Sequence, residues 1–178
     1  LTQLVQDLRS VGPVDGNELF MELTDVSLDA QMEDLRRLMD GPLSLAGFQT
    51  TWRSTPVVVR ADVTRLRQAA LALLENVRMH ATPGPVTVEV VSDGAMGLLR
   101  ITDGGPGIDA DLAEHIFQIF QRGPTAAKGS GLGLAVVRGV AEAHGGHAVW
   151  RANPAGGSIF ELALPLTSTT SGGNNSGL

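Results

Sequence analysis

The chain has 178 residues, enough for one buried core and a short appendage and too few for two comfortable domains. Hydrophobic residues make up 43% and charged ones 18%, a globular rather than disordered composition, and the absence of cysteine excludes a disulfide framework, an iron–sulfur cluster, thiol catalysis and Cys-based zinc. A net charge of −6 has the wrong sign for a general nucleic-acid grip, so no nucleic-acid partner is expected.

The first residues, Leu1, Leu4, Val5 and Leu8, fall at helical spacing and read as the tail of a helix. Gly12, Pro13 and Gly16 then mark a hinge, so residues 1–17 are read as a helix remnant plus hinge and residues 18–166 as the compact domain. Strands are expected over 19–26, 47–53, 57–60, 86–92, 98–102, 147–152 and 158–164. Helices are expected over 28–39, 62–80, 110–117 and 132–144. Runs of two or three strands between helices predict an α+β, two-layer α/β sandwich, with one mixed sheet carrying helices on one face. Residues 167–178, nearly all Ser, Thr, Gly and Asn, are read as a disordered tail. No apolar run is long enough to span a bilayer and the start lacks a signal-peptide layout, so a cytoplasmic location is expected, with any membrane anchor in a longer parent.

Four segments carry candidate chemistry. On the helix from Asp62, Val63, Leu66, Ala70, Leu73, Leu74 and Val77 form an apolar stripe, while Ala72, Asn76, Met79 and His80 share an adjacent face. Asn76 offers a single amide oxygen, which suits Mg²⁺ completed by waters and phosphate oxygens; taken alone, it reads more readily as a solvated or capping residue. Next, Asp103-Gly104-Gly105-Pro106-Gly107 follows a strand directly. Its glycines allow close approach of a flat ligand, and the carboxylate could accept from an exocyclic amine, although a plain Gly-rich turn explains the segment taken alone. The third segment holds Phe117 and Phe120, spaced as core residues, then Arg122 and a short lid-like run ending at Lys128. The fourth, Gly129-Ser130-Gly131-Leu132-Gly133-Leu134, opens an apolar helix whose start suits phosphate.

The ordered set resembles the N, G1, F and G2 boxes of the catalytic domain of sensor histidine kinases, in the superfamily that includes the gyrase, Hsp90 and MutL ATPases. His144-Gly145-Gly146 and Gly156-Gly157-Ser158 further along are similar to the kinase branch in particular. The resemblance implies the Bergerat fold and the two ligands ATP and Mg²⁺. It implies metal coordination by Asn76, adenine recognition by Asp103 with Gly105 and Gly107 shaping the pocket, and His80 beside the base. It also implies a phosphate-facing turn of Gly129, Ser130, Gly131, Leu132 and Gly133, and a catalytic Arg122. The activity implied is a protein histidine kinase of two-component signalling, transferring the γ-phosphoryl of ATP.

Met79 and Ile119 stand where the family's pattern usually has a cation. Arg78 lies about 160° around the helix from Asn76, a poor replacement. Lys128 is the one lysine among 13 basic residues and sits just before Gly129. It is therefore expected to close over the phosphates as a partial substitute. No histidine lies in an acceptor-type stretch, so the phosphoryl would go to a histidine outside this chain. That histidine would belong to a dimerisation or phosphotransfer domain in cis or in trans, with a response regulator downstream and this fragment monomeric. The missing acceptor leaves open an anti-sigma-type serine kinase, and the lost cations a degenerate nucleotide-binding module.

Overall fold

The structure, a computed structural model, describes residues 21–113, 115–117 and 132–167. The expected helix remnant and hinge over 1–17, Ile119, Phe120, Arg122, Lys128, Gly129, Ser130, Gly131 and the tail beyond Thr167 lie outside the described residues.

Five strands form one mixed sheet in the order β2 (Gln49–Ser54), β4 (Pro85–Asp93), β5 (Met96–Asp103), β7 (Ser158–Pro165), β6 (His147–Ala152). β2 and β4 are parallel, as a crossover connection allows, and every other pair is antiparallel. The alternation of the strands sends Val88, Ile101, Phe160 and Trp150, aligned across four strands, to one face. That face meets three helices: α1 (Leu28–Leu45), α2 (Val63–His80) and α4 (Gly133–Ala143). The core is the layer between them, and the α+β sandwich anticipated from the sequence is the fold observed.

The opposite face carries charge in register. Arg53, Glu89, Arg100 and Glu161 lie side by side on β2, β4, β5 and β7, with Arg100 Nε donating to Glu161 at 2.7 Å and Arg151 of β6 closing on the same carboxylate. Arg100 and Arg151 cover Glu161, which is buried, and such cross-strand pairs stabilise this face without apolar area.

The ends of the first three helices have legible reasons. Ser27 caps α1, its hydroxyl accepting from Ala30 N–H, and Leu28, Met32, Leu35, Met39 and Leu43 form the buried stripe. The helix runs past the expected end at Met39, through Pro42, because Leu43 is fully buried and anchors one more turn. Pro42 falls on the exposed side, where a missing N–H is cheapest. In α2, Asp62 is the N-cap and accepts from Thr64 and Arg65 N–H. Its stripe includes Ala69, while Val63, expected in the stripe, is 39% exposed. The third helix, α3 (Ala110–Ala113), is a single turn. Residues 115–117 are a turn rather than a continuation of the expected helix, since so short a segment has too few bonds to propagate.

The remaining strands, β1 (Thr24–Ser27) and β3 (Val58–Ala61), pair antiparallel as a separate two-stranded sheet, where a single sheet was expected. One isolated bridge, Val59 to Leu166, links them to the large sheet. The small sheet seats on Gly97: a Cβ there would stand 2.6 Å from the Val57 and Val59 methyls.

Candidate functional site

β5 ends at Asp103, whose side chain turns toward the helix layer and is 5% exposed. Its Oδ1 accepts from Gly105 N–H at 2.8 Å and from Ser158 N–H at 3.3 Å. Among the described residues no hydrogen bond engages Oδ2. Burial, the largest influence, pushes the Asp103 carboxyl above the ordinary aspartate range, and the two N–H donors offset this only in part. The result is a desolvated acceptor with one oxygen committed to the main chain and the other open to an incoming donor.

Three chain segments close around it, and glycine is what lets them meet. A Cβ on Gly105 would lie 2.9 Å from Asp103 Oδ1 and 3.1 Å from the Ala81 Cα, just past the end of α2. Gly157, at φ +95°, lies in the turn between β6 and β7; any side chain there would strike the Asp103 carbonyl and stand 2.7 Å from Gly105 N. The Asn153 amide, from the same turn, donates to the Asp103 carbonyl at 3.1 Å. Asn153 accepts from Ala155 N–H through its own side chain, which folds the turn back on itself.

The helices frame the other side. α2 and α4 lie antiparallel, and Gly133 at the start of α4 faces Ala72 of α2, with its Cβ position 4.0 Å from that of Ala72. Asn76 sits one helical turn beyond Ala72 toward the Asp103 loop and is half-buried. Leu132 is fully buried and occupies the N-cap of α4, where it makes no side-chain cap bond. Met79 is 37% exposed and His80, the last residue of α2, is exposed. Arg78 is held away by Glu75 at 2.8 Å.

Of the residues singled out from sequence, Asn76, His80, Asp103, Gly105, Gly107, Leu132 and Gly133 are described, and they gather at one end of the sandwich. Asn153, Gly157 and the Ser158 main chain complete the Asp103 pocket and were not assigned a role from sequence. The signal was present for two of them, in the Gly156-Gly157-Ser158 run, and for the third in the Asn-Pro pair.

An α+β sandwich with a buried carboxylate at a strand end, between a glycine loop and two antiparallel helices, is a ligand-binding architecture of a recognisable class. The family described as histidine kinase-, DNA gyrase B-, and HSP90-like ATPase matches residues 61–168, and the chain belongs to it. It is 34% identical to the probable sensor histidine kinase TcrY of Mycobacterium tuberculosis over 93% of this chain. It spans 36% of that relative, about a third of the full length. Among solved structures, ShkA, determined full-length in complex with AMPPNP, superposes with a TM-score of 0.79 at 25% identity, covering 92% of this chain and 35% of ShkA. The Acinetobacter baumannii histidine kinase AdeS superposes with a TM-score of 0.75 at 24% identity, covering 93% of this chain and 78% of AdeS, which shows the shared fold.

Proposed function

We propose that this chain is the ATP-binding catalytic domain of a two-component sensor histidine kinase, transferring the γ-phosphoryl of ATP to a histidine outside it. The observation that carries this reading is Asp103: a buried carboxylate with a free oxygen matches the exocyclic amine of adenine, a neutral donor that needs no counter-charge. Gly105 and Gly107 let the base approach, and His80 lies at its edge. ShkA, which shares this fold over 92% of the chain, was solved in complex with AMPPNP, and this supports nucleotide binding by the domain.

The phosphates would then run toward the start of α4 at Leu132 and Gly133, where the helix dipole favours an anion, and Gly129, Ser130 and Gly131 are the residues the resemblance assigns to the rest of the phosphate-facing turn. Asn76, facing the same space from α2, would hold Mg²⁺. Among the described residues no three His, Cys, Asp or Glu side chains gather as a metal cage, so the remaining ligands would be phosphate and water oxygens. The ion, when bound, supplies charge neutralisation on the phosphates. Arg122 would keep the basic residue that the resemblance assigns to its position, and Lys128 would partly replace the cations missing at Met79 and Ile119. Phosphoryl transfer then rests on positioning and electrostatics rather than on a general base, and Ala72, on the helix face that carries Asn76, offers none.

No helix among the described residues is long and apolar enough to cross a membrane. The domain works where ATP is, in the cytoplasm. The acceptor belongs to a dimerisation or phosphotransfer domain, in cis or in trans, and a response regulator takes the phosphoryl onward.

Radiolabelled ATP offered with a histidine-bearing dimerisation domain tests the reading. An acid-labile, base-stable product that vanishes in Asn76→Ala is expected. An acid-stable product on a serine-bearing antagonist identifies a serine kinase instead, and ATP binding without transfer to either acceptor identifies a module that only binds.

A further inference from the structure

His144 is 7% exposed and stands at the C-terminal end of α4, far from the pocket. Its Nε2 accepts from the main-chain N–H of Asp62 at 2.9 Å, so the ring proton is on Nδ1, which donates to the Val140 carbonyl at 2.7 Å. One imidazole thereby joins the last turn of α4 to the N-cap of α2, across 82 residues of sequence. Asp62 is itself a junction: Oδ1 receives Thr64 and Arg65 N–H, and Oδ2 receives Glu22 N–H from the segment leading into β1. The end of α4 is also seated on the sheet, because a Cβ on Gly146 would run into the Ala163 carbonyl of β7.

At the pocket end, α2 and α4 approach at Ala72 and Gly133, where no large side chain intervenes. Both helices pack into the shared core, and to that undirected packing His144 adds a directional bond spanning the two. From Asp62 to Asn76 is about 21 Å of helix, so a tilt of about 5° at the far end displaces Asn76 by about 2 Å.

We propose that His144 is a positioning residue for the nucleotide pocket, clamping the far ends of α2 and α4 and so setting the separation between Asn76 and the start of α4. This rests on the nucleotide reading above for what the separation serves.

His144→Asn keeps a donor near the Nδ1 position for Val140 and removes the acceptor for Asp62, while His144→Gln extends an acceptor to the Nε2 position. Two measurements on the full chain decide the proposal: main-chain amide shifts by NMR without nucleotide, and ATP affinity in Mg²⁺ by calorimetry. The expected result for His144→Asn is amide shifts at Asn76 to His80 and at Gly133 and Leu134, with ATP affinity down about tenfold. His144→Gln restores both. Shifts confined to the surroundings of Asp62 and Val140, or a loss of affinity that His144→Gln shares, overturn it. A wild-type chain that binds no ATP removes the functional reading instead, and the shifts at Asn76 then decide the positioning role alone.

Discussion

Asp62 and Asp103 are both aspartates gripped by main-chain N–H groups, at opposite ends of the same sandwich, and they are pushed in opposite directions. For Asp62, burial works upward, yet the N–H groups of Arg65, Glu22 and Thr64 and the charge of Arg65 together hold the carboxyl below its ordinary value. For Asp103, burial dominates and two donors on one oxygen do not overcome it. Asp62 uses both oxygens inside the protein. Asp103 keeps one in reserve. The difference separates a residue whose hydrogen bonding is completed by folding from one that folding leaves incomplete, and on the proposed reading it divides the domain into a far end that holds shape and a pocket end that holds nucleotide.

Substitutions should respect that division. The largest effect is expected from Gly157→Val, where a positive φ and a clash with the Asp103 carbonyl combine to cost about 3–5 kcal/mol, read as a fall in the denaturation midpoint together with lost ATP binding. Asp103→Asn comes next. Losing the charged acceptor should weaken ATP by about 2–3 kcal/mol in calorimetry while the melting temperature holds or rises, because a desolvated charge has been removed. Asp62→Ala is the counterpart at the far end: a lost cap, about 1–2 kcal/mol of stability by urea denaturation. Equal stability losses at Asp62 and Asp103 would erase the distinction between the two ends.

The smallest effect is the sharpest in sign. Asp103, with its folded value raised above 3.8, contributes stability that is fully present below 3.8 and is lost as pH rises through the folded value. Asp62, with its folded value lowered, contributes stability that is present above 3.8 and is lost as pH falls through the folded value. Carboxyl ¹³C titration should place the two midpoints on either side of 3.8, and ATP should draw that of Asp103 down, since an N–H donor favours the ionised form. A midpoint for Asp103 unmoved by ATP would contradict adenine recognition at that carboxylate.

Much of this was legible in the sequence because it is local or periodic. The stripe of α2 located Asn76, the strand ending in Asp-Gly-Gly located Asp103, and His147 to Ala152 is a strand over the range its alternation indicates. Tertiary anchoring was not legible. The extra turn of α1 depends on the burial of Leu43, and the separation of β1 and β3 from the main sheet depends on the space left by Gly97. The same holds for the contacts that complete the site. Asn153 reaches the Asp103 carbonyl from 50 residues away and His144 reaches Asp62 from 82, and neither bond leaves a pattern in neighbouring residues. The residues between Phe117 and Leu132, where the sequence places Arg122 and Lys128, lie outside the described structure.

Among the described residues, the grip on the Asp103 carboxylate comes from the N–H groups of Gly105 and Ser158 and not from a side chain. Its position is consequently indifferent to the chemistry of the residue at 158, and Ser158→Ala or Ser158→Thr should leave the carboxylate where it is. A pocket built this way can be retuned for what it accepts by exchanging the groups around the carboxylate, while the reference point they work against stays put as long as the backbone keeps its route through the two glycine turns.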